Sequence, residues 1–399
     1  MTRGVNSGTA FDVAIAGGGI VGAACALACA QRGMQVALVE ADTLGSGATA
    51  AGMGHIVVMD DSEGQFALTR YSQQLWHSLA PTLPASAEYE QRGTLWIAAD
   101  REEMDAAEKK CAWYSERSVP CELLTAAQLA RIEPNLAGGL AGALLVPEDA
   151  VVYPPTVAFE LARRAQQLGA QIFLGRAVRS IADGNVELED GLQIVARRIV
   201  HALGADSTQL DPELPIRKRK GHLVITDRYA GFVHHQLVEL GYLKSAHSTT
   251  SDSVAFNVQP RQTGQILIGS SRQFGAEHTE TDPHIVNAML ARAVRYLPGI
   301  RALSAIRVWT GFRAATPDKL PLIGPDLRDP TVILATGHEG LGITTSLATA
   351  ELVADHLTDR DSAIPATPYL PARYARAQSR QEEVYAMDWS HAGADHGIQ

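Results

Sequence analysis

The sequence lacks the features that would place the chain in a membrane or outside the cell. Among its 399 residues there is no apolar run of about eighteen, the length that a membrane-spanning helix needs. The polar residues before position 11 lead straight into a strand pattern, without the charged and apolar regions of a signal peptide. We therefore predict a cytoplasmic protein with no transmembrane segment.

Cysteine is scarce as well. The four cysteines, Cys25, Cys29, Cys111 and Cys121, form no C-x-x-C pair and have few cysteine or histidine neighbours in the sequence. Structural zinc and iron–sulfur sites are built from closely spaced ligands of these types. The sequence therefore predicts no metal site, and a reducing compartment suits the free thiols.

The chain also has no excess of positive charge. Its 34 Lys and Arg residues face 44 Asp and Glu residues, which gives a formal net charge of −10 and a pI near 5.7. Nucleic-acid binding depends on clustered Lys and Arg, so we predict no nucleic-acid partner. The dense basic run 217–220 is interpreted as a solvated rim at the start of a strand, and its role stays open.

What is present is an alternation of strand and helix patterns typical of an α/β protein. "FDVAIA" (11–16) and "QVALVE" (35–40) are predicted buried strands, and "GIVGAACALACAQRG" (19–33) is a predicted helix between them. Further helices are predicted at 62–81, 101–117 and 154–170, with short strands at 171–174, 178–181, 185–189 and 197–202. From about 215 to 275 strands alternate with turns, which indicates an inserted antiparallel sheet. The chain then returns to a strand at 331–337 and a helix at 343–357.

A dinucleotide fingerprint lies in the first strand–helix–strand unit. Gly17, Gly19 and Gly22 form G-x-G-x-x-G between the strand and the helix, and Glu40 ends the second strand. The glycines allow a tight turn, the approach of a pyrophosphate and close helix packing, while the carboxylate suits ribose hydroxyls. The fingerprint alone does not separate NAD from FAD. A second Gly, Ser and Thr loop at 45–52, with later glycine-bearing strand ends, favours FAD.

With these motifs the chain resembles the FAD-dependent amino-acid oxidase and dehydrogenase superfamily, which includes glycine oxidase, sarcosine oxidase and D-hydroxyproline dehydrogenases. The resemblance covers residues 11 to 373 and is carried by "DVAIAGGGIVGAACALACAQRGMQVALVE", "GSGATAAGMGH", "ALGADS", "VWTGFRAATPDKLPLIGP" and "TGHEGLGITTSLATAELVAD". It implies an α/β fold in which a discontinuous Rossmann-like FAD-binding domain carries an inserted, mainly antiparallel α+β substrate domain. The implied ranges are 11–88, 140–210 and 310–373 for the FAD domain, 89–139 and 211–309 for the substrate domain, and 374–399 for a polar tail.

The resemblance also assigns the cofactor contacts. They are Gly17, Gly19, Ile20, Val21, Gly22, Glu40, Ala41, Ser46, Gly47, Ala48, Thr49, Gly52, Met53, Gly54, Val178, Ala202, Gly204, Gly311, Gly337, Gly340, Leu341, Gly342, Ile343 and Thr344. Relatives that attach FAD covalently use a histidine at the position of Ala51 or a cysteine late in the chain, and this chain has no cysteine after Cys121. Non-covalent FAD is therefore expected, with His55 as the alternative attachment point.

In such enzymes a hydride passes from the carbon that bears the amine to the flavin, and the protein must hold the substrate carboxylate. The resemblance implies that Arg313, in W-x-G-x-R, is that anchor, and a guanidinium binds a carboxylate through two parallel hydrogen bonds. Gly340 stands where glycine oxidase has a second arginine, so a substrate other than glycine is expected. Further candidates for substrate contacts are Arg272, His55, Tyr242, His338 and His222.

The preferred hypothesis is oxidation of a secondary or D-configured amino acid, first of all cis-4-hydroxy-D-proline or D-proline. One alternative is an opine-, sarcosine- or glycine-oxidase-like flavoprotein subunit that needs partner chains. A remote alternative is the FAD domain of a tRNA-modifying enzyme, against which the net charge argues, and a non-catalytic FAD-binding subunit is a further one. The substrate is expected to be a small amino acid, a homo-oligomer or hetero-oligomer is possible, and the electron acceptor (oxygen, a quinone or a partner protein) stays open.

Overall fold

The computed structural model describes residues 11–241 and 252–374. The first half of the described chain contains strands β1 (Phe11–Ala16), β2 (Val36–Glu40), β3 (His55–Ile56), β4 (Thr94–Ala98), β5 (Glu122–Thr125), β6 (Gly142–Val146), β7 (Ala150–Val151), β8 (Gln171–Leu174), β9 (Val178–Ala182), β10 (Asn185–Leu188) and β11 (Gln193–His201). The second half adds β12 (Arg217–Thr226), β13 (Gln236–Glu239), β14 (Ser253–Pro260), β15 (Ile266–Phe274), β16 (Ala305–Ala315), β17 (Leu322–Pro325) and β18 (Val332–Thr336).

Helices connect these strands. They are α1 (Ile20–Gln31), α2 (Ala48–Ala51), α3 (Glu63–Leu79), α4 (Arg101–Glu116), α5 (Ala126–Ile132), α6 (Pro154–Gln167), α7 (Ser207–Leu210), α8 (Pro283–Tyr296) and α9 (Gly342–Leu357). Among the described residues no helix combines the length and the apolar character that crossing a membrane would require.

The first sheet has the order β17-β18-β11-β1-β2-β8, with β10 and β9 continuing from β11. The pairs β18–β11, β11–β1, β1–β2 and β2–β8 are parallel. Parallel strands connected by helices are covered on both faces and therefore consist of apolar runs. Val13, Ile15 and Leu38 are fully buried accordingly, and α1 packs between α6 and α9 through its alanines.

The second sheet has the order β16-β12-β15-β14-β13-β4-β6-β5 and is antiparallel except for the pair β13–β4. Helix α8 packs across β14 and β15, where the ring of Tyr296 stacks on Phe256 with centroids 4.5 Å apart. The strands of this sheet come from segments that lie between strands of the first sheet in the chain. The predicted α/β class is confirmed, and we propose that the two sheets are the centres of the two predicted domains. Strand β16 runs across the proposed boundary at residue 310.

The interpretation of the basic run 217–220 as a solvated rim is wrong for two of its residues. The run does begin a strand, and Arg217 is exposed, but Arg219 is only 4% exposed and Lys220 is fully buried. Strand β12 lies inside the sheet between β15 and β16, and the Arg219 side chain on one face forms an ion pair with Glu339. The Lys220 ammonium donates to the Glu280 carbonyl oxygen over 2.5 Å.

Of the predicted polar tail, only Tyr374 lies within the described residues. Its hydroxyl donates to a carboxylate oxygen of Asp318 over 2.7 Å.

Candidate active site

The turn from β1 to α1 is built so closely that glycine is the only residue that fits. Gly17 has φ +106°, and a Cβ there would lie 2.5 Å from the Ala202 carbonyl oxygen. A Cβ on Gly22 would overlap the Gly17 carbonyl oxygen. The fingerprint glycines therefore let the start of α1, with Ile20 and Val21, approach the carboxyl ends of β1 and β11.

The start of α1 offers backbone amides to an anion. Gly19 is the N-cap and provides no capping side chain, while the Ile20 amide donates to the Thr49 hydroxyl over 3.0 Å. The N-terminal end of a helix carries a partial positive charge and unpaired N–H groups, which suit a pyrophosphate.

Glu40 lies beside this turn at the end of β2. One carboxylate oxygen accepts a hydrogen bond from the Gly18 amide over 2.6 Å, and the other accepts from the Asp42 amide over 2.9 Å. The Ser46 hydroxyl is 3.4 Å from the second oxygen. The carboxylate thus has a fixed position next to the predicted phosphate site, with Ala41 following it in the chain.

The loop 46–54 connects this turn with both other parts of the predicted site. A Cβ on Gly311 of β16 would overlap Ala51, and a Cβ on Gly52 would lie 2.7 Å from Ile343 of α9. Gly47 and Gly54 have positive φ values, and the Met53 carbonyl oxygen accepts a hydrogen bond from the Gln259 side-chain amide over 2.6 Å. The loop therefore touches the second sheet on one side and the start of α9 on the other.

The turn from β18 to α9 completes this arrangement. Gly337 has φ +78°, Leu341 is the N-cap of α9, and Gly342 is its first residue. The Thr344 hydroxyl donates to the His55 carbonyl oxygen over 2.9 Å, which ties α9 to loop 46–54.

The other predicted cofactor contacts lie at carboxyl ends of the first sheet or just after them. The Ala202 amide donates to the Ala16 carbonyl oxygen over 2.9 Å, and the Gly204 carbonyl oxygen accepts from the Thr336 hydroxyl over 3.2 Å. Val178 begins β9, four residues after β8 ends beside Glu40. The predicted cofactor residues thus follow one continuous path from β9 and Glu40 to Gly311 and the start of α9.

This path fits FAD in two observable respects. A Cβ on Gly19 would meet only the Thr49 hydroxyl at 3.3 Å, and one on Gly47 or Gly204 would meet nothing within 4 Å, so a long cofactor can lie directly against backbone there. The Nε2 atom of His55 is buried without a hydrogen-bond partner among the described residues, and His55 begins β3 directly after loop 46–54. Buried polar atoms are almost always paired, so a group absent from the protein chain would satisfy it.

Three arginines share the face of the second sheet that meets loop 46–54. Arg219 of β12 stands directly opposite Arg313 of β16 and opposite Phe274 of β15 in the strand register. Arg272 lies two residues before Phe274 and so projects from the same face. Arg219 and Arg272 are 4% and 7% exposed.

Arg313 lies between two glycines. A Cβ on Gly221 would come 2.5 Å from its Nη1 atom, and a Cβ on Gly340 would lie 3.6 Å from its Nε atom. Nη1 donates to the Ser271 carbonyl oxygen over 3.0 Å. The two missing side chains leave room for the guanidinium beside the start of α9.

Glu339 supplies a carboxylate to this cluster. Its amide donates to the Ala314 carbonyl oxygen over 2.8 Å, and its side chain forms an ion pair with Arg219. Burial raises the pKa of this carboxyl, but Arg219, Arg272 and Arg313 together bring the pKa below its usual value. Glu339 therefore stays ionised at neutral pH.

The histidine candidates are held by the protein itself to different degrees. Both ring nitrogens of His222 are engaged, one with the Ser271 hydroxyl and one with the Asp282 amide, each over 3.0 Å. His338 bonds the Thr349 hydroxyl over 3.0 Å. Burial lowers the pKa of His55 and of His338 to about 4, so both rings are neutral at pH 7. Tyr242 lies outside the described residues.

Two residues of the arginine cluster, Arg219 and Glu339, were not among the predicted site residues. The alternation of β12 could have indicated Arg219, since Arg219 and Gly221 share the face on which Arg313 lies. Nothing local in the sequence singles out Glu339.

The described residues contain no group of three or more His, Cys, Asp or Glu side chains that could hold a metal ion. The predicted cofactor residues together form a path rich in glycine that ends at a sheet face rich in arginine. Glycine-rich turns at helix starts suit a dinucleotide, and buried arginines suit an anionic group.

Comparison with known proteins gives the family. The family model for FAD-dependent oxidoreductases of the DAO type matches residues 12–356, and the chain belongs to this family. Glycine oxidase of Geobacillus kaustophilus is 28% identical over 379 residues, which cover 91% of this chain and 97% of that protein. Its crystal structure superposes with a TM-score of 0.81 and covers 91% of this chain and 98% of that one.

Two further relatives broaden this comparison. Hydrogen cyanide synthase subunit HcnC of Pseudomonas protegens is 27% identical and covers 93% of this chain and 98% of that protein. The structure of L-proline dehydrogenase from P. horikoshii, at 23% identity and a TM-score of 0.82 over 92% of this chain and 98% of that one, shares the fold. The chain is thus an FAD-dependent oxidoreductase, and FAD is its cofactor.

Proposed function

We propose that the protein oxidises the C–N bond of a secondary or D-configured α-amino acid. Cis-4-hydroxy-D-proline, or D-proline, is the first substrate proposed, and the product is the cyclic imine. The observation that carries this proposal is the position of Arg313, on the sheet face that meets loop 46–54 through Gly311 and beside the start of α9.

Arg313 binds the substrate carboxylate in this proposal. A guanidinium that bonds a carboxylate through two nitrogens fixes both its position and its plane, which orients the α-carbon. Gly221 and Gly340 leave the space that this guanidinium occupies. FAD, when bound, supplies the chemistry by accepting a hydride from the α-carbon at flavin N5.

The neutral histidines support the assignment of anion binding to arginine. Since the pKa values of His55 and His338 are lowered to about 4 by burial, neither ring carries a positive charge at pH 7. A substrate carboxylate is therefore bound by guanidinium groups. The α-carbon next to a neutral amine gives up a hydride more readily than the α-carbon next to an ammonium.

The residues on the cofactor path are proposed to hold FAD without a covalent bond. Ala51 has no side chain that could attach a flavin, and its Cβ packs against Gly311. The pyrophosphate would bind at the start of α1, the ribose near Glu40, and the flavin ring between loop 46–54, β16 and the start of α9.

A second proposal concerns partners. The relative named as a hydrogen cyanide synthase subunit supports the alternative that this chain is the flavoprotein subunit of a larger assembly, acting on a glycine-, sarcosine- or opine-like substrate. Arg219 and Arg272, on the same sheet face as Arg313, suit a substrate that carries a carboxylate. Copurification of partner chains from the native source would support the assembly, and the electron acceptor could then be a partner protein.

An anaerobic substrate panel tests the proposed function. The purified holoprotein is mixed with D- and L-proline, both hydroxyproline epimers, sarcosine, glycine, D-alanine and an opine, and loss of the oxidised flavin band is followed. Fast bleaching by cis-4-hydroxy-D-proline or D-proline is expected. Bleaching by an opine or glycine alone would replace the first substrate with the second candidate, and a flavin that no amino acid bleaches would contradict the proposal.

A further inference from the structure

We infer that Glu339 restricts the active site to substrates with a single carboxylate, because its own carboxylate occupies the place where a second one would meet Arg219 and Arg272. The inference rests on the proposed oxidation of an amino acid bound at Arg313. It assigns a specificity-determining role to a residue of the turn between β18 and α9.

The backbone fixes the position of Glu339. Its amide donates to the Ala314 carbonyl oxygen over 2.8 Å, which places it beside Arg313 in the neighbouring strand. Its φ of +48° lies in the left-handed region, where a residue other than glycine is uncommon. The preceding residue, His338, is anchored to Thr349, and the following amides begin α9. The side chain is therefore held against the sheet, and it is only 17% exposed.

The charges of the cluster explain why a carboxylate is needed there. Arg219 and Arg272 are almost fully buried, and buried charges are costly unless they are paired. Glu339 forms the ion pair with Arg219, and all three arginines lower its pKa. Among the described residues, Glu339 is thus a carboxylate that forms an ion pair with this cluster and whose pKa all three arginines lower.

Arg313 is the arginine proposed to bind the substrate. Its Nε atom lies beside Gly340, the residue that follows Glu339, while the ion pair of Glu339 is formed with Arg219. A substrate carboxylate can therefore bind Arg313 without breaking this ion pair. The flavin, when reduced and anionic, would balance part of the remaining positive charge.

A second carboxylate on the substrate would face repulsion. To reach Arg219 or Arg272 it would have to displace Glu339 or lie against it, and two carboxylates side by side repel each other in a site of low dielectric constant. Removal of the Glu339 charge without a change of shape would remove this repulsion and break the ion pair between Glu339 and Arg219. Specificity would then shift because a repulsive element had been removed.

Matched substrate pairs test the inference with the holoenzyme. Sarcosine is compared with iminodiacetate, and D-alanine with D-aspartate, by the anaerobic rate of flavin bleaching in the unchanged protein and in Glu339→Gln. Each pair differs by one carboxylate. We expect the unchanged protein to prefer the monocarboxylate, and the ratio of dicarboxylate to monocarboxylate rates to rise about tenfold or more in the variant, which corresponds to about 1.4 kcal/mol.

Two control variants separate this effect from a general loss of charge or of structure. Glu280→Gln removes the same charge from an exposed side chain beside Lys220 and should leave the ratio unchanged. Glu339→Asp keeps the charge and should keep the preference for monocarboxylates. If Glu339→Gln failed to bind FAD, the preference of the unchanged protein and of Glu339→Asp would still test the inference.

The outcomes are distinct from those for the proposed function. A faster reaction of the unchanged protein with the dicarboxylate of either pair would overturn the inference, as would an unchanged or lower ratio in Glu339→Gln with FAD retained. Either result leaves amino-acid oxidation at Arg313 intact. A protein that no amino acid of either type reduces would instead overturn the proposed function.

Discussion

The two parts of the proposed active site are built in opposite ways. At the turn between β1 and α1 the contacts come from backbone, and Gly17 and Gly22 are required because a side chain would collide with carbonyl oxygens. On the arginine face the contacts come from long charged side chains, and Gly221 and Gly340 only leave space for them. The proposed cofactor site thus depends on glycines that lack side chains, whereas the proposed substrate site depends on which charged side chains lie close together.

The two parts also differ in how far apart their residues lie in the sequence. The turn and the start of α1 occupy six consecutive residues, 17–22. On the arginine face, the paired Arg219 and Glu339 are 120 positions apart in the chain. Changes at the turn should therefore affect FAD retention, and changes on the arginine face should affect substrate with FAD in place.

The largest effect is expected at the turn. In Gly22→Ala the new Cβ would overlap the Gly17 carbonyl oxygen, so the turn must open and FAD should be lost. The ratio of flavin to protein absorbance after purification measures this. Gly138→Ala is the matched control, since a Cβ there meets nothing within 4 Å, and it should keep its full FAD content. Retention of FAD by Gly22→Ala would remove the distinction between the two parts.

A pH effect on stability is expected at Asp149, whose side chain is fully buried between β6 and β7. Asp149 accepts a hydrogen bond from the Val58 backbone amide over 3.2 Å and another from the Gln73 side-chain amide over 2.9 Å. Burial raises its pKa to about 7. The folded state then holds a proton that the unfolded state releases near pH 4, so stability should fall as pH rises from 4 to 7 and stay level above 7.

Asp149→Asn should lack this dependence. Relative to the variant, the unchanged protein should lose about 2–3 kcal/mol of unfolding free energy between pH 5 and pH 8. Urea unfolding of the FAD-saturated proteins at both pH values measures the difference. Asp105→Asn, at an exposed position of α4, is the control and should behave like the unchanged protein. Parallel pH profiles for Asp149→Asn and the unchanged protein would contradict the assignment.

Arg313→Ala should separate substrate binding from FAD binding. Loss of a hydrogen-bonded charged contact costs about 1.5–3 kcal/mol, so substrate should bind about 10- to 150-fold more weakly while FAD content stays normal. Titration of flavin bleaching against substrate concentration measures the change. Arg307→Ala, at an exposed position of the same strand, is the matched control. Loss of FAD without a specific substrate effect would mean that Arg313 has a structural role.

The smallest effect is expected for Thr49→Val. The valine has nearly the same shape but cannot accept the hydrogen bond from the Ile20 amide, which is worth about 0.5–1.5 kcal/mol. FAD should therefore dissociate a few-fold more readily, as measured by equilibrium dialysis, and Thr49→Ser should restore binding. An unchanged FAD affinity would show that the amide finds another acceptor when FAD is bound.

Much of the fold could be predicted from the sequence where elements have local signals. Strands β1 and β2 and helices α1, α3, α4, α6 and α9 were predicted within a few residues of their observed ends. Helix α8 was missed, although Asp282 caps it through the His284 amide over 2.9 Å and Pro283 is its first residue. The Asp282-Pro283 start signal was present in the sequence, but it followed a series of predicted strands. The helix packs on β14 and β15, and such packing supplies most of the stability of a helix.

The site shows the same division. Arg313 and Arg272 were predicted as substrate contacts and lie on one face, while Arg219 belonged to a run interpreted as solvated. Net charge and clustering describe a surface, but the alternation of a strand decides which charges enter a site. Glu339 carries no local signal at all, since its role follows from the strands packed against its turn.

The sequence by itself determined the tight turn between β1 and α1, because a Cβ on Gly22 would overlap the nearby Gly17 carbonyl oxygen and only glycine avoids this. It also determined the α/β class, since burial on both faces of parallel strands requires apolar runs. Only the tertiary structure decided the arginine cluster and its carboxylate. Electrostatic interactions act through space, and strand register and a single turn bring Arg219, Arg272, Arg313 and Glu339 from four separate segments to one place.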